Sequence, residues 1–144
     1  MARLAGNPEI TANTLEIPYP PNDRMARDWI SETDRKRDRR SDQVFMITTW
    51  TRGEIIGAIG LMCFTREHSP VRKSATGLAD PFWNQGYATE AVCPVLDYGF
   101  RVMGLHRISA FSLTRNKATG RVMDTGGMRH ERVLRQQIQK TGNF

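Results

Sequence analysis

The stretch "PFWNQGYATEAV", Pro81 to Val92, sets one glycine and a tyrosine directly before small, helix-favouring residues. It admits two readings: a turn running into a helix, or a helix start built to hold something. The first turn of any helix leaves several N–H groups without intrahelical partners, and they carry positive partial charge. At Gly86 the missing side chain lets a phosphate approach the backbone closely. Charge-assisted bonds of that kind contribute about 1.5–3 kcal/mol each, so three or four would anchor a pyrophosphate. One glycine before a helix is weak evidence, and no P-loop or G-x-G-x-x-G accompanies it. Taken alone, these residues leave both readings open.

Downstream, Val92, Val95, Leu96, Gly99 and Met103 repeat at helical spacing, which predicts a helix over 88–103 with Gly104 as its stop. Pro94 falls inside it and removes one ladder hydrogen bond. "HRISAFSL" (106–113) predicts a strand, 117–125 a short helix closed by Gly126-Gly127, and "ERVLRQQIQK" (131–140) a last, polar strand. Upstream, "QVFMITTW" (43–50) and "EIIGAIGLMCF" (54–64) flank Gly53 as a hairpin. A polar loop "TREHSPVRKS" and a short strand around "SATGLA" lead into the opening stretch. Residues 1–21 end in "IPYPP" and predict a loop or arm after a short helix at the very start, and Asn22 then caps a helix over about 23–36. Helix, hairpin, strand, helix, strand, helix, strand imply a mixed sheet with helices packed on it.

The chain has 144 residues, enough for one core, and its 39% hydrophobic and 25% charged content is that of a globular domain. No apolar run is long enough to span a bilayer, and "MARLAGNPEI" lacks the apolar core of a secretory signal, so a cytoplasmic location is expected. Cys63 and Cys93 sit in apolar segments without metal spacing; two buried free thiols are expected, with a disulfide as the alternative. The formal charge of +6 favours anionic partners. Part of it sits in "DRKRDRR" (34–40), a run more typical of a solvated helix end than of a binding site.

The run "PFWNQGYATEAVCPVLDYGFRVMGLHRISAFSLTRNKATGRVMDTGGM" resembles the core of the GNAT acetyltransferases, specifically their RimJ/RimL-like branch. That branch reads roughly Y/F-W-G-x-G-Y-A-T-E-A, then a helix ending in F…lGl, then a strand ending N-x-x-S. The matching landmarks are Phe82, Trp83, Gly86, Tyr87, Ala88, Thr89, Glu90 and Ala91, then Phe100, Gly104, Leu105 and Asn116. "NPEITANTLEIPYPPNDRMARDWI" is similar to the family's N-terminal region. The sequence departs from the pattern where Asn84 replaces a glycine, Pro94 enters the helix, and only "LADP" joins Gly77 to Phe82.

The resemblance implies an α/β (α+β) class: the GNAT acyl-CoA N-acyltransferase fold, a mixed, mostly antiparallel sheet flanked by helices. It implies one domain over 1–144, incomplete at both ends because the family's usual first and last strands are missing, with a homodimer able to cover the open sheet edge. The activity implied is transfer of acetyl from acetyl-CoA to a primary amine, on a protein N-terminus or a small molecule, with no metal and no nucleic acid. By the same resemblance, the amides of Gln85, Gly86, Tyr87, Ala88 and Thr89 take the pyrophosphate. Asn116 then holds the pantetheine arm or positions the thiol side, and Thr119 protonates the leaving thiolate in place of the family's Ser; Met123 stands where other members carry a Tyr for that task. Asn116 and Thr119 serve equally well as caps of the short helix. Glu67 and His68 are the candidate bases, with Glu67 the first choice, and Glu90 fits a first-turn dipole partner better than a base. Two alternatives stand beside this reading. One is a CoA-binding member without catalysis, suggested by the shortened strand. The other is a basic nucleic-acid-binding module, suggested by charge alone.

Overall fold

A computed structural model of the chain describes residues 23–38, 42–62 and 71–136. Its elements are α1 (Asp23–Asp38), β1 (Gln43–Thr48), β2 (Ile55–Met62), β3 (Val71–Leu78), α2 (Tyr87–Arg101), β4 (Arg107–Ser109) and α3 (Lys117–Thr125). A single 3-10 turn, Asp80–Phe82, joins β3 to α2. The four strands form one sheet in the order β1-β2-β3-β4. The first two pairings are antiparallel, and β3 pairs with β4 in parallel across the α2 crossover. This is the mixed, mostly antiparallel sheet expected.

The β1–β2 hairpin closes where Gly53 takes a left-handed φ of +62° and donates its N–H to the Thr49 carbonyl at 2.8 Å. From there β2 runs through the middle of the molecule. Its Ile56, Ile59 and Leu61 are almost wholly buried, the pattern of a strand covered on both faces. Ile59 and Leu61 meet Val92, Val95 and Leu96 of α2 and Leu105 beyond it, with Phe45, Ile47, Ile108, Val122 and Met128 around the rim. Burying each of these aliphatic side chains contributes about 1.5–3 kcal/mol, so this apolar stripe is what seats α2 on the sheet. Gly99 lets it sit close: a Cβ there would lie 2.7 Å from Ile108 Cδ1 and 2.8 Å from Leu61 Cδ1. On the neighbouring strand, the Phe45 ring meets Tyr98 edge-on at 5.3 Å between centroids.

Several expectations move. The helix expected over 88–103 is α2, 87–101; Gly104 adopts φ +65° and Leu105 donates back to the Gly99 carbonyl at 3.0 Å. Pro94 is retained within α2. The weak strand near "SATGLA" begins at Val71, inside the expected loop, because Lys73 finds ladder partners on both sides, in Met62 and Ser109. By contrast the strand expected over 106–113 is three residues long. Residues 131–136 form no strand: they are exposed, and Glu131 is held to β4 by an ion pair with Arg107 rather than by a ladder. The rest of that expected strand, 137–140, lies outside the described residues. Cys93 is an exposed free thiol on α2, not a buried one; Cys63, the 1–21 arm and the Asn22 cap are outside the described residues. Among the described residues no helix is long and apolar enough to cross a membrane.

Candidate functional site

The strand-to-helix junction from Leu78 to Tyr87 is tied down at each step. Ala79 continues the ladder with an N–H to Ile56 O at 2.9 Å, and Phe82 and Trp83 donate back to Ala79 O and Asp80 O at 3.0 and 3.1 Å. The Trp83 indole N–H reaches the Leu78 carbonyl at 2.8 Å, and the Gln85 side-chain amide reaches Pro81 O at 2.7 Å. Phe82 and Tyr87 then close the loop ring to ring, 6.0 Å apart and nearly perpendicular. Two left-handed residues turn the chain into the helix, Asn84 at φ +57° and Gly86 at φ +87°. Asparagine tolerates that region better than other side chains do, so Asn84 preserves the turn where the family pattern has glycine.

Gly86 is the N-cap of α2, and no side chain caps it. The ladder begins with Glu90 N–H to Gly86 O at 2.9 Å, so the amides of Tyr87, Ala88 and Thr89 stand ahead of it. A Cβ on Gly86 would meet nothing within 4 Å. Open space, a positive helix end and uncommitted amides form a cradle that fits a pyrophosphate. Glu90 lies in the first turn and Arg101 in the last, each complementing the dipole. Arg101 also bridges Asp97 at 2.6 Å.

Beside the cradle the sheet opens. β3 pairs with β4 through Val71, Arg72 and Lys73 alone, while its length from Ser74 to Leu78 is paired only to β2. Residues 110–113 have left the ladder, so the backbone of β3 nearest the cradle is unoccupied on one side among the described residues. An extended ligand leaving the cradle along β3 would find main-chain partners there.

Asn116 caps α3, accepting the Thr119 N–H on Oδ1 at 3.1 Å. Both capping and cofactor roles were open for it in the sequence; the cap is the one its Oδ1 serves, which leaves its side-chain N–H groups for a ligand. Thr119 is half-buried, and among the described residues its hydroxyl has no hydrogen-bond partner. α3 packs along α2, with Gly126 tucked 3.2 Å (as a Cβ would stand) from Val92 Cγ1 and Leu96 Cδ1. Glu67 and His68 lie outside the described residues. Among those described, no group of three or more His, Cys, Asp or Glu gathers to hold a metal. The ties made by Trp83 and Gln85 escaped sequence reasoning. Their one signal was the position of two side-chain donors a few residues after a strand end.

The Glu131 carboxylate is clearly perturbed. The Arg107 guanidinium lies 2.6 and 2.7 Å from the two Glu131 oxygens, and these hydrogen bonds, followed by its charge, hold Glu131 below the usual carboxylate range.

An open mixed sheet with a parallel crossover helix that starts in an amide cradle is the architecture that the resemblance to the GNAT acyltransferases implies. A family model described as an acetyltransferase (GNAT) domain matches residues 1–129, and the chain belongs to that family. Among curated relatives, the uncharacterized N-acetyltransferase YoaA of Bacillus subtilis is 35% identical over 91 residues, 62% of this chain and 50% of YoaA. YkkB of the same organism is 28% identical over 112 residues, 78% of this chain and 65% of YkkB. The chain thus spans between half and two thirds of the length of these two relatives. Among solved structures, Mycobacterium smegmatis RimJ in complex with CoA-disulfide superposes with a TM-score of 0.84 at 20% identity, over 99% of this chain and 69% of that one. A Bacillus anthracis GNAT acetyltransferase gives 0.84 at 22%, over 100% and 81%. At these identities the structural likeness speaks for the fold.

Proposed function

We propose that this chain is an acetyl-CoA-dependent N-acetyltransferase acting on a polypeptide N-terminal amine by direct attack in a ternary complex. The observation that carries the proposal is the cradle: an N-cap glycine at φ +87° with open space where its side chain would be, ahead of three uncommitted amides. In this reading the amides of Gln85, Gly86, Tyr87, Ala88 and Thr89 bind the pyrophosphate, and the unpaired side of β3 receives the pantetheine arm. The bound cofactor supplies the acetyl thioester. Asn116, its Oδ1 already committed to the cap, donates from its amide nitrogen to the arm. The Thr119 hydroxyl hands a proton to the departing sulfur, and Glu67 takes one from the amine.

The choice of amine follows from energetics. Presenting a lysine neutral at pH 7 costs about 4.6 kcal/mol, whereas an α-amine costs about 1 kcal/mol. A site with one candidate carboxylate base is better matched to the second. RimJ and a Vibrio fischeri ribosomal-protein-S5-alanine acetyltransferase among the fold neighbours support a protein acceptor. A spermidine N-acetyltransferase solved with CoA and spermine shows that the fold also serves polyamines, so the test must include them.

Calorimetry with acetyl-CoA should show saturable binding, and thiol release should follow on peptides with a free α-amine. Peptides with a blocked N-terminus and a free lysine should give far less. No cofactor binding would defeat the proposal, binding without turnover would leave a CoA-binding member, and preference for spermidine would overturn the acceptor.

A further inference from the structure

We infer that the stretch from Lys117 to Arg135 is a docking surface for an acidic polypeptide. The charge of the chain is not spread along it. Residues 101–144 hold nine of the 21 Lys and Arg and two of the 15 Asp and Glu, so the first hundred residues carry slightly more acid than base. The conspicuous basic run at 34–40 is not the seat of the excess, because α1, which holds its first five residues, balances five cations with five carboxylates.

Within the basic part, the cations divide by what they do. Arg101 and Arg107 are spent on Asp97 and Glu131. Lys117, Arg121, Arg129, Arg132 and Arg135 are exposed, and among the described residues none is within ion-pair distance of a carboxylate. Lys117 and Arg121 lie one turn apart on α3, and the backbone around Arg129 and Arg132 is anchored. Met128 is packed against the core and donates to the Met123 carbonyl at 3.0 Å, and Glu131 is clamped to β4, so Arg129 and Arg132 flank anchored positions. Fixing them in the free protein lowers the ordering cost of binding.

The apolar residues among them select the partner. Val133 and Leu134, 56% and 39% exposed, lie between Arg132 and Arg135. Arginine interleaved with exposed aliphatic surface is the make-up of a protein interface, where apolar contact supplies affinity and charge supplies steering and register. A nucleic-acid backbone would use the cations and leave the aliphatics unmatched. A second copy meeting this surface with its own would set like charges against each other. A polypeptide carrying carboxylates beside aliphatic side chains satisfies both features.

The test is fluorescence anisotropy of a labelled alternating Glu-Leu peptide with the full chain, without acetyl-CoA. An alternating Lys-Leu peptide and poly-uridine RNA serve as competing probes. The Glu-Leu peptide should bind best, lose affinity as salt rises, and weaken about tenfold in the combined Arg121→Glu, Arg129→Glu and Arg132→Glu variant. The matching Gln variant, with circular dichroism as the folding check, should weaken it by a smaller factor; it decides the matter if the Glu variant does not fold. Tighter binding of RNA, equal binding of the two peptides, or unchanged affinity in the folded variants would overturn the inference. Because no cofactor takes part, failure of the acetyl-CoA experiment leaves this result standing, and the reverse also holds.

Discussion

Replacing Gly86 by alanine separates what the residue does for the fold from what it does for a ligand. Its φ of +87° is left-handed, where an L side chain costs about 1–2 kcal/mol. Space is not the obstacle, since a Cβ there meets nothing within 4 Å. Stability should therefore fall by that strain alone, a shift of roughly 3–8 °C in Tm for a domain of this size. The added methyl group nevertheless projects into the volume a phosphate must enter. Losing one or two charge-assisted amide bonds would cost about 3 kcal/mol, or roughly two decades in Kd for CoA. Gly53 provides the control: its φ is +62°, a Cβ there is equally unobstructed, and it lies in the β1–β2 turn. Gly53→Ala should match Gly86→Ala in thermal denaturation and match the wild type in calorimetry with CoA. If Gly86→Ala binds CoA like the wild type, or if Gly53→Ala loses affinity as severely, the cradle does not hold the pyrophosphate.

Gly57→Ala should destabilise the fold by about 2 kcal/mol or more, because its Cβ would run into the Gly77 carbonyl and Leu78 on β3, backbone that cannot step aside cheaply; denaturant titration measures it, and a change below about 0.5 kcal/mol would contradict the packing. Asn116→Asp keeps the acceptor that caps α3 and removes the amide donor, whereas Asn116→Ala removes both, at about 1 kcal/mol of stability. If Asn116 touches the cofactor, the Asp variant stays as stable as the wild type yet loses turnover; full activity in Asn116→Asp would reduce the residue to a cap. Glu131 has a lowered folded pKa, so its contribution to stability is present above the unfolded carboxylate's ordinary value and disappears as pH falls through the lowered one. Arg107→Gln should raise the Glu131 value in an NMR titration, and its stability deficit should shrink in acid; a deficit unchanged across that window would mean that the ion pair is not its source.

The elements that follow local physics were legible from the residues. α2 declared itself through Val92, Val95, Leu96 and Gly99, whose spacing is that of its buried stripe, and the hairpin through Gly53 between two β-branched runs. β3 and β4 were blurred because their limits are set by partners. Lys73 is polar yet has a strand on each side, whereas "AFSL" is strand-like yet has left the ladder. The described part of the final expected strand, 131–136, departs for a related reason: "ERVLRQ" has a suitable composition, but Glu131 meets β4 through an ion pair rather than a ladder. At the junction, the helix start after Gly86 was legible from the glycine and the small residues that follow it, whereas what the open amides hold was left to the resemblance. The Trp83 and Gln85 ties were not legible, since both donate to backbone carbonyls that any sequence would supply.

The Trp83 bond has a practical consequence. Its indole is half-buried, three residues before the N-cap Gly86, and bonded to the last carbonyl of β3, whereas Trp50, in the hairpin turn, is wholly exposed. The two rings therefore sit in unlike solvent environments, and their emission should differ in colour. Trp50 reports on water whatever happens at the helix start, and exchanging it for phenylalanine together with Trp29 of α1, the third tryptophan of the chain, removes the background. Trp83 then becomes an optical reporter built into the junction, able to register occupation of the cradle in real time and before any acceptor is known.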